Sequence, residues 1–194
     1  MPSKIHSQSH TGALSPEYAL LGLLAKSPAH GYELYQRLST DLSQVWHLSM
    51  SQAYNILNRL EAQGYIAGVV QEQGKLPARR LFHLTTSGQR RFEDWLNSTS
   101  GSSVRSIRLE FLTRLYFARL TSPQMAHQVI EAQLAETRRG LERLRVLSGG
   151  LGEGQLINRL SLELRISQLE SILEWLQACH LAIDRAQPSV SSQG

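Results

Sequence analysis

The chain has 194 residues, 41% of them apolar, which is enough for a packed core and excludes a wholly disordered polymer. Its 20 basic and 16 acidic residues leave a net charge of +4, so affinity for a polyanion must come from local clustering or doubling in an oligomer, not from bulk charge. One cysteine, Cys179, excludes an intrachain disulfide and a cysteine-rich zinc site, and no apolar run approaches the roughly 18 residues of a membrane span. A cytoplasmic protein without targeting signal or membrane partner is expected.

Residues 1–12 and 187–194 are expected to be loose tails. Ser15-Pro16-Glu17 is a capped start with proline at the first helical position, and Tyr18, Leu21 and Leu24 face a core as far as Lys26. Ser27-Pro28-Ala29-His30-Gly31 reads as a turn. A second helix, from about Tyr32 to Leu42, contributes Tyr32, Leu34, Tyr35 and Leu38 to the apolar side.

The third helix carries the chemistry. Ser49 caps it, it runs from Met50 to Gln63, and Gly64 supplies the left-handed residue that ends it. Ala53, Ile56, Leu57 and Leu60 fall on one stripe; Ser51, Asn55, Asn58 and Arg59 cluster opposite, with Gln52 and Tyr54 at the flanks. A solvated face normally carries Lys and Glu. Amides, hydroxyls and one guanidinium are instead the groups that pair with base edges.

A two-stranded ribbon follows, from Tyr65-Ile66-Ala67-Gly68-Val69-Val70 and Arg80-Leu81-Phe82-His83-Leu84-Thr85, joined by the tip Gly74-Lys75-Leu76-Pro77-Ala78. From Gln73 to Phe92 no acidic residue occurs, while Lys75, Arg79, Arg80, Arg90 and Arg91 do. Each alone reads as a solvated surface charge; the run beside a polar helix reads as a phosphate-facing surface. Thr85-Thr86-Ser87-Gly88 caps a further helix, Gln89 to Asn97, closing the unit with Phe92, Trp95 and Leu96. Residues 13–98 thus read as a winged helix-turn-helix.

Residues 99–103, within a Ser- and Gly-rich stretch, mark a linker, and residues 104–186 read as a helical dimerisation domain, giving a mainly α chain with a small β-hairpin. Val104 to Leu120 is one helix; a second runs from Ser122-Pro123 to about Leu147 with Ile130, Leu134, Leu141 and Leu144 on one face. The glycine-rich run 149–154 breaks it, lacking the strand and Lys-Ser/Thr of a phosphate cradle. The last helix, about Gln155 to Ala186, spans roughly 48 Å. Leu162, Ile166, Leu169, Leu173, Leu176, His180 and Ile183 step along it at heptad spacing, like a coiled-coil seam. Leu164, Ile172, Trp175 and Cys179 form a second strip. Packing on the preceding helix accounts for part of this surface, and the surplus strip points to a second subunit.

Three motifs resemble the PadR family of bacterial transcriptional regulators: His30-Gly31-Tyr32-Glu33-Leu34, the string Leu48 to Ile66, and the wing end Arg80 to Gly88. Arg108-Leu109-Glu110-Phe111-Leu112-Thr113-Arg114-Leu115 is similar to the opening of the helical C-terminal domain in the larger PadR subfamily. The resemblance implies a homodimeric repressor of a palindromic double-stranded DNA operator, relieved by a small molecule. It places Ser49, Ser51, Gln52, Tyr54, Asn55, Asn58 and Arg59 on DNA through the recognition helix, and Lys75, Arg79 and Arg80 through the wing. Members often carry a Gly-Arg-Pro-like wing tip, whereas Gly74-Lys75-Leu76-Pro77 inserts a leucine and keeps the charge.

For a small aromatic effector, Trp46, Trp95, Phe111 and Tyr116 are the candidate lining, core packing being the alternative for each. The seven histidines are scattered without metal-ligand spacing, so no metal or cofactor is expected, and no nucleophile and base are arranged for catalysis. The alternative function is a winged-helix and coiled-coil protein-interaction module that does not bind DNA.

Overall fold

Helix α1 (Glu17–Lys26) lies at the centre because its sequence is apolar on every side: each residue from Glu17 to Leu24 is buried. The computed structural model describes residues 15–73, 76–152 and 154–185, without the side chains of 72–78. Within them follow β1 (Ala29–His30), α2 (Gly31–Asp41), α3 (Met50–Ala62), β2 (Ile66–Gln73), β3 (Leu76–Leu84) and α4 (Thr86–Leu96). Then come α5 (Val104–Ser106), a π-helical turn at Ile107–Phe111, α6 (Leu112–Thr121), α7 (Pro123–Gly149) and α8 (Leu156–Arg185).

α1 touches α2, α3, α4, α6 and β3. Leu20 and Leu21 are fully buried there, and burying a leucine side chain stabilises by about 1.5–3 kcal/mol. Against expectation, Pro16 takes the N-cap position and the first helical residue is Glu17, whose N–H donates to the Ser15 hydroxyl at 3.4 Å. Two expectations change next. The segment read as a plain turn contains β1, which pairs antiparallel with β3 (Ala29 opposite Phe82), so the sheet has three strands in the order β1-β3-β2. Tyr32, counted as apolar core, is half exposed, while Leu34 and Leu38 fill the interior.

The wing is longer and its tip shorter than the residue pattern indicates. β2 and β3 pair in register from Ile66 opposite Leu84 to Gln71 opposite Arg79, with an irregularity before Gln73 opposite Leu76. Lys75 lies outside the described residues. α4 begins three residues earlier than expected, its N-terminus capped by the Thr85 hydroxyl accepting from Gly88 N–H.

The polar segment after α4 is fastened rather than free. Ser100 is buried, its N–H donating to Gln133 Oε1 and its carbonyl accepting from Gln133 Nε2. Arg114, also buried, donates to the Trp95 carbonyl at 3.0 Å and to the hydroxyls of Ser98 and Ser100. Its guanidinium lies over the Trp95 ring and 3.6 Å from Glu110. The π turn sits one helical turn before this cation and holds Glu110 beneath it. One hydrophobic cluster runs through both parts of the chain, from Tyr18 to Ile183.

α7 and α8 form an antiparallel hairpin. The heptad stripe packs inside it: Leu169, Leu176 and Ile183 are buried, and Leu162, Ile166 and Leu173 pack against a cluster with Leu141 and Leu144. The residues expected at a subunit seam thus serve the chain's own hairpin first, since a helical period does not reveal whose helix lies opposite. His127 and His180, distant in sequence, stack at the α7/α8 crossing with Nδ1 atoms 2.8 Å apart. Among the described residues no group of three or more His, Cys, Asp or Glu is placed to hold a metal ion.

Candidate nucleic-acid interface

α3 owes its position to both ends. At its start Ser49 and Gln52 close a reciprocal capping box: Gln52 N–H donates to Ser49 Oγ at 3.2 Å and Ser49 N–H donates to Gln52 Oε1 at 2.8 Å. At its end Gly64 takes the left-handed conformation, φ 74°, and the chain turns straight into β2. Ala53, Ile56, Leu57 and Leu60 are buried, which aims Ser51, Gln52, Tyr54, Asn55, Asn58 and Arg59 outward.

These outward residues are not equivalent. Ser49 and Gln52 spend their acceptor oxygens on the cap, leaving the Gln52 amide donors. Among the described residues the side chains of Ser51 and Asn55 make no hydrogen bond, so both are available to an incoming partner. Tyr54 seats its ring on Gly31, where a Cβ would stand 2.7 Å from Tyr54 Cε1. Asn58 opens onto a concavity of about 640 Å³ between β1, α2, α3 and the wing, lined also by Tyr32, Gln36, Arg79 and Arg80. Residue pattern alone missed the α2 contribution: Tyr32 and Gln36 read as ordinary helix positions until β1 draws the start of α2 beside the wing. The His30 ring helps hold this corner, its Nδ1 donating to the Arg80 carbonyl oxygen at 3.0 Å.

The basic residues divide as well. Arg79 is exposed beside the concavity. The run that lacks acidic residues in sequence does not lack them in space. Glu61 on α3 accepts from the Arg80 guanidinium and from the Gly68 N–H. Glu17 on α1 accepts from Arg59 Nε at 2.8 Å and from Arg91 at 2.9 Å. Arg91 lies over the Tyr65 and Tyr18 rings, 4.2 Å and 5.5 Å from their centroids. Burial opposes its charge, but Tyr18, Glu17 and Tyr65 outweigh it and raise its pKa above the ordinary guanidinium value.

The aromatics expected around an effector are engaged separately. Trp46 is buried and donates its indole N–H to Thr113 Oγ1 at 2.8 Å. Trp95 stacks on Tyr18 at 4.7 Å, Phe111 meets Trp175 edge-on, and the Tyr116 hydroxyl donates to Asp41. Trp46, Trp95 and Phe111 are core residues, and Trp46 and Tyr116 join the winged helix to α6.

Three-helix core, wing and exposed amide-bearing helix together define a winged-helix DNA-binding regulator. Residues 20–94 match the Transcriptional regulator PadR-like family and residues 107–184 match Virulence activator alpha C-term. A curated relative, Negative transcriptional regulator PadR of Bacillus subtilis (strain 168), is 30% identical over 128 residues, covering 66% of this chain and 70% of the relative. The chain belongs to the PadR family of transcriptional regulators.

Similar solved structures include Bacillus subtilis PadR in complex with operator DNA, at 27% identity, covering 87% of this chain and 98% of that one, TM-score 0.43. The same protein in complex with p-coumaric acid aligns at 26% identity, with the same coverage and TM-score 0.39. A PadR-like regulator from Bacillus cereus aligns at 20% identity, covering 90% of this chain and 99% of that one, TM-score 0.42. Among the described residues no helix is long and apolar enough to cross a membrane.

Proposed function

We propose that this chain is a cytoplasmic, homodimeric repressor that acts without catalysis, binds a palindromic operator and is relieved by a small aromatic effector. The observation that carries the DNA part is the exposed amide and hydroxyl face of α3, where Ser51, Asn55 and Asn58 make no side-chain hydrogen bond among the described residues, beside exposed Arg79. Bidentate amides read adenine in the major groove, and one such module contacts only a few base pairs, so two related by a twofold axis are needed for a selective site. The name of the curated relative, Negative transcriptional regulator PadR, supports repression as the direction.

Dimerisation is supported by the outer face of α8, where Ile157, Leu160 and Leu164 are exposed and unused by the hairpin. Relief by an effector would act on the Trp46–Thr113 and Tyr116–Asp41 contacts that join the winged helix to α6.

The test is a titration of purified protein against DNA from upstream of its own gene and against random duplex, with Asn55→Ala beside wild type. The variant is expected to lose affinity for the upstream DNA by a factor equivalent to about 1–3 kcal/mol while keeping random binding. Equal losses on both DNAs would refute base reading by Asn55. Salt-insensitive or absent binding by wild type would favour a protein-interaction module instead.

A further inference from the structure

The winged helix carries six arginines, Arg37, Arg59, Arg79, Arg80, Arg90 and Arg91, yet three of them are held by carboxylates of the same module. Arg59 and Arg91 converge on Glu17, whose side chain is 10% exposed, and Arg80 is held by Glu61 at 25%. Arg59 and Arg80 themselves remain about half exposed, so burial of the cation does not explain why they are paired. The Glu61 pair is built into the sheet. Gly68 stands opposite Phe82 in the middle of β2, and a Cβ there would lie 2.9 Å from Arg80 and 3.0 Å from Glu61 Oε1. A strand interior otherwise disfavours glycine, so this position accommodates the ion pair at a cost in strand propensity.

From this arrangement we infer that Glu17 and Glu61 are specificity-determining residues: they withhold Arg59, Arg91 and Arg80 from phosphate and leave discrimination to the amides of α3. The inference rests on the DNA-binding reading. Sequence-independent affinity grows with each neutralised phosphate, and the salt dependence of binding counts those contacts. A regulator that must find one operator among many random sites gains selectivity by keeping that count low. The carboxylates lower it without removing the guanidiniums, which also position α3 against α1 and the wing. Glu17 and Glu61 thus act through the arginines and are positioning residues, with no contact to DNA required of either.

The experiment measures binding by fluorescence anisotropy over a salt series for wild type, Glu61→Gln, Glu17→Gln and the charge-preserving Glu61→Asp, on upstream and random duplexes, with each variant checked for folding by circular dichroism. Glu61→Gln is expected to bind random duplex several-fold more tightly than wild type, with a slope of log affinity against log salt steeper by about one, and to discriminate less. Glu17→Gln is expected to steepen it by about one to two. Glu61→Asp should stay near wild type. A purely structural role predicts the opposite sign, weaker binding to both duplexes. Since loss of the more buried Glu17 carboxylate can cost folding, Glu61→Gln decides alone. Unchanged or shallower slope in folded Glu61→Gln, with wild type binding normally, would overturn this inference and leave the DNA reading standing. Wild type without salt-dependent DNA binding would overturn both.

Discussion

Tyr116 ties α6 to α2 through one hydroxyl, donated to Asp41 Oδ2 at 2.6 Å. Burial, and then the bond to Asp41, push its pKa up to about 12 from 10.0. The unfolded side chain therefore loses its proton first as pH rises. The stabilisation is whole below pH 10 and is lost as pH climbs through about 12. Tyr116→Phe is expected to flatten that alkaline limb in thermal melts followed against pH; a limb identical to wild type would mean that the hydroxyl is not held. Gly88 gives a second residue-scale outcome. A Cβ there would stand 2.0 Å from the Tyr65 carbonyl oxygen, a backbone atom that no rotamer change removes. Gly88→Ala is expected to cost about 2–4 kcal/mol in denaturant unfolding. Gly101→Ala, whose nearest neighbour is the movable Ser106 hydroxyl, should be nearly neutral.

At the scale of elements, the segment between α4 and α5 depends on Arg114. Burial lowers its pKa to about 10, which still leaves it charged at neutral pH, so its satisfaction by Trp95, Ser98, Ser100 and Glu110 is obligatory. Arg114→Met is expected to destabilise by about 3–5 kcal/mol, because it removes the cation beside buried Glu110, leaves the Trp95 carbonyl and the Ser98 and Ser100 hydroxyls without their donor, and frees the Ser100 turn; calorimetry checks it. Nothing in the composition of 97–103 discloses this. Ser and Gly read as a linker because their partners, Gln133 and Arg114, lie far along the chain. The same limit hid β1, a strand of two residues with no alternation to detect and no existence apart from β3. It also hid the neutralisation of the basic wing, since Glu17 is 74 residues from Arg91. What was legible is what is local: the caps at Ser49 and Thr85, the stop at Gly64, and the 3.6-residue stripes of α3, α7 and α8. The amide face of α3 was legible for the same reason, because burying Ala53, Ile56, Leu57 and Leu60 fixes what points outward.

For the whole molecule, α8 separates two kinds of leucine. Leu169 lies within the hairpin, and Leu169→Glu is expected to unfold the helical half. Leu160 and Leu164 are exposed on the other side, and Leu160→Glu combined with Leu164→Glu is expected to leave the fold intact by circular dichroism while light scattering shows monomers. A dimer that survives the double change would move the subunit contact elsewhere.

The bolted segment around Ser100, with Trp46–Thr113 beside it, has a consequence for the geometry of the target. A tethered reading head swivels to meet its site wherever it falls; a bolted one does not. In the proposed dimer, two such heads on one axis act as a caliper with its jaws locked. Insertion of about 5 base pairs between operator half-sites should abolish binding by turning one groove away, and insertion of about 10, which restores the facing, should abolish it too because the jaws cannot widen.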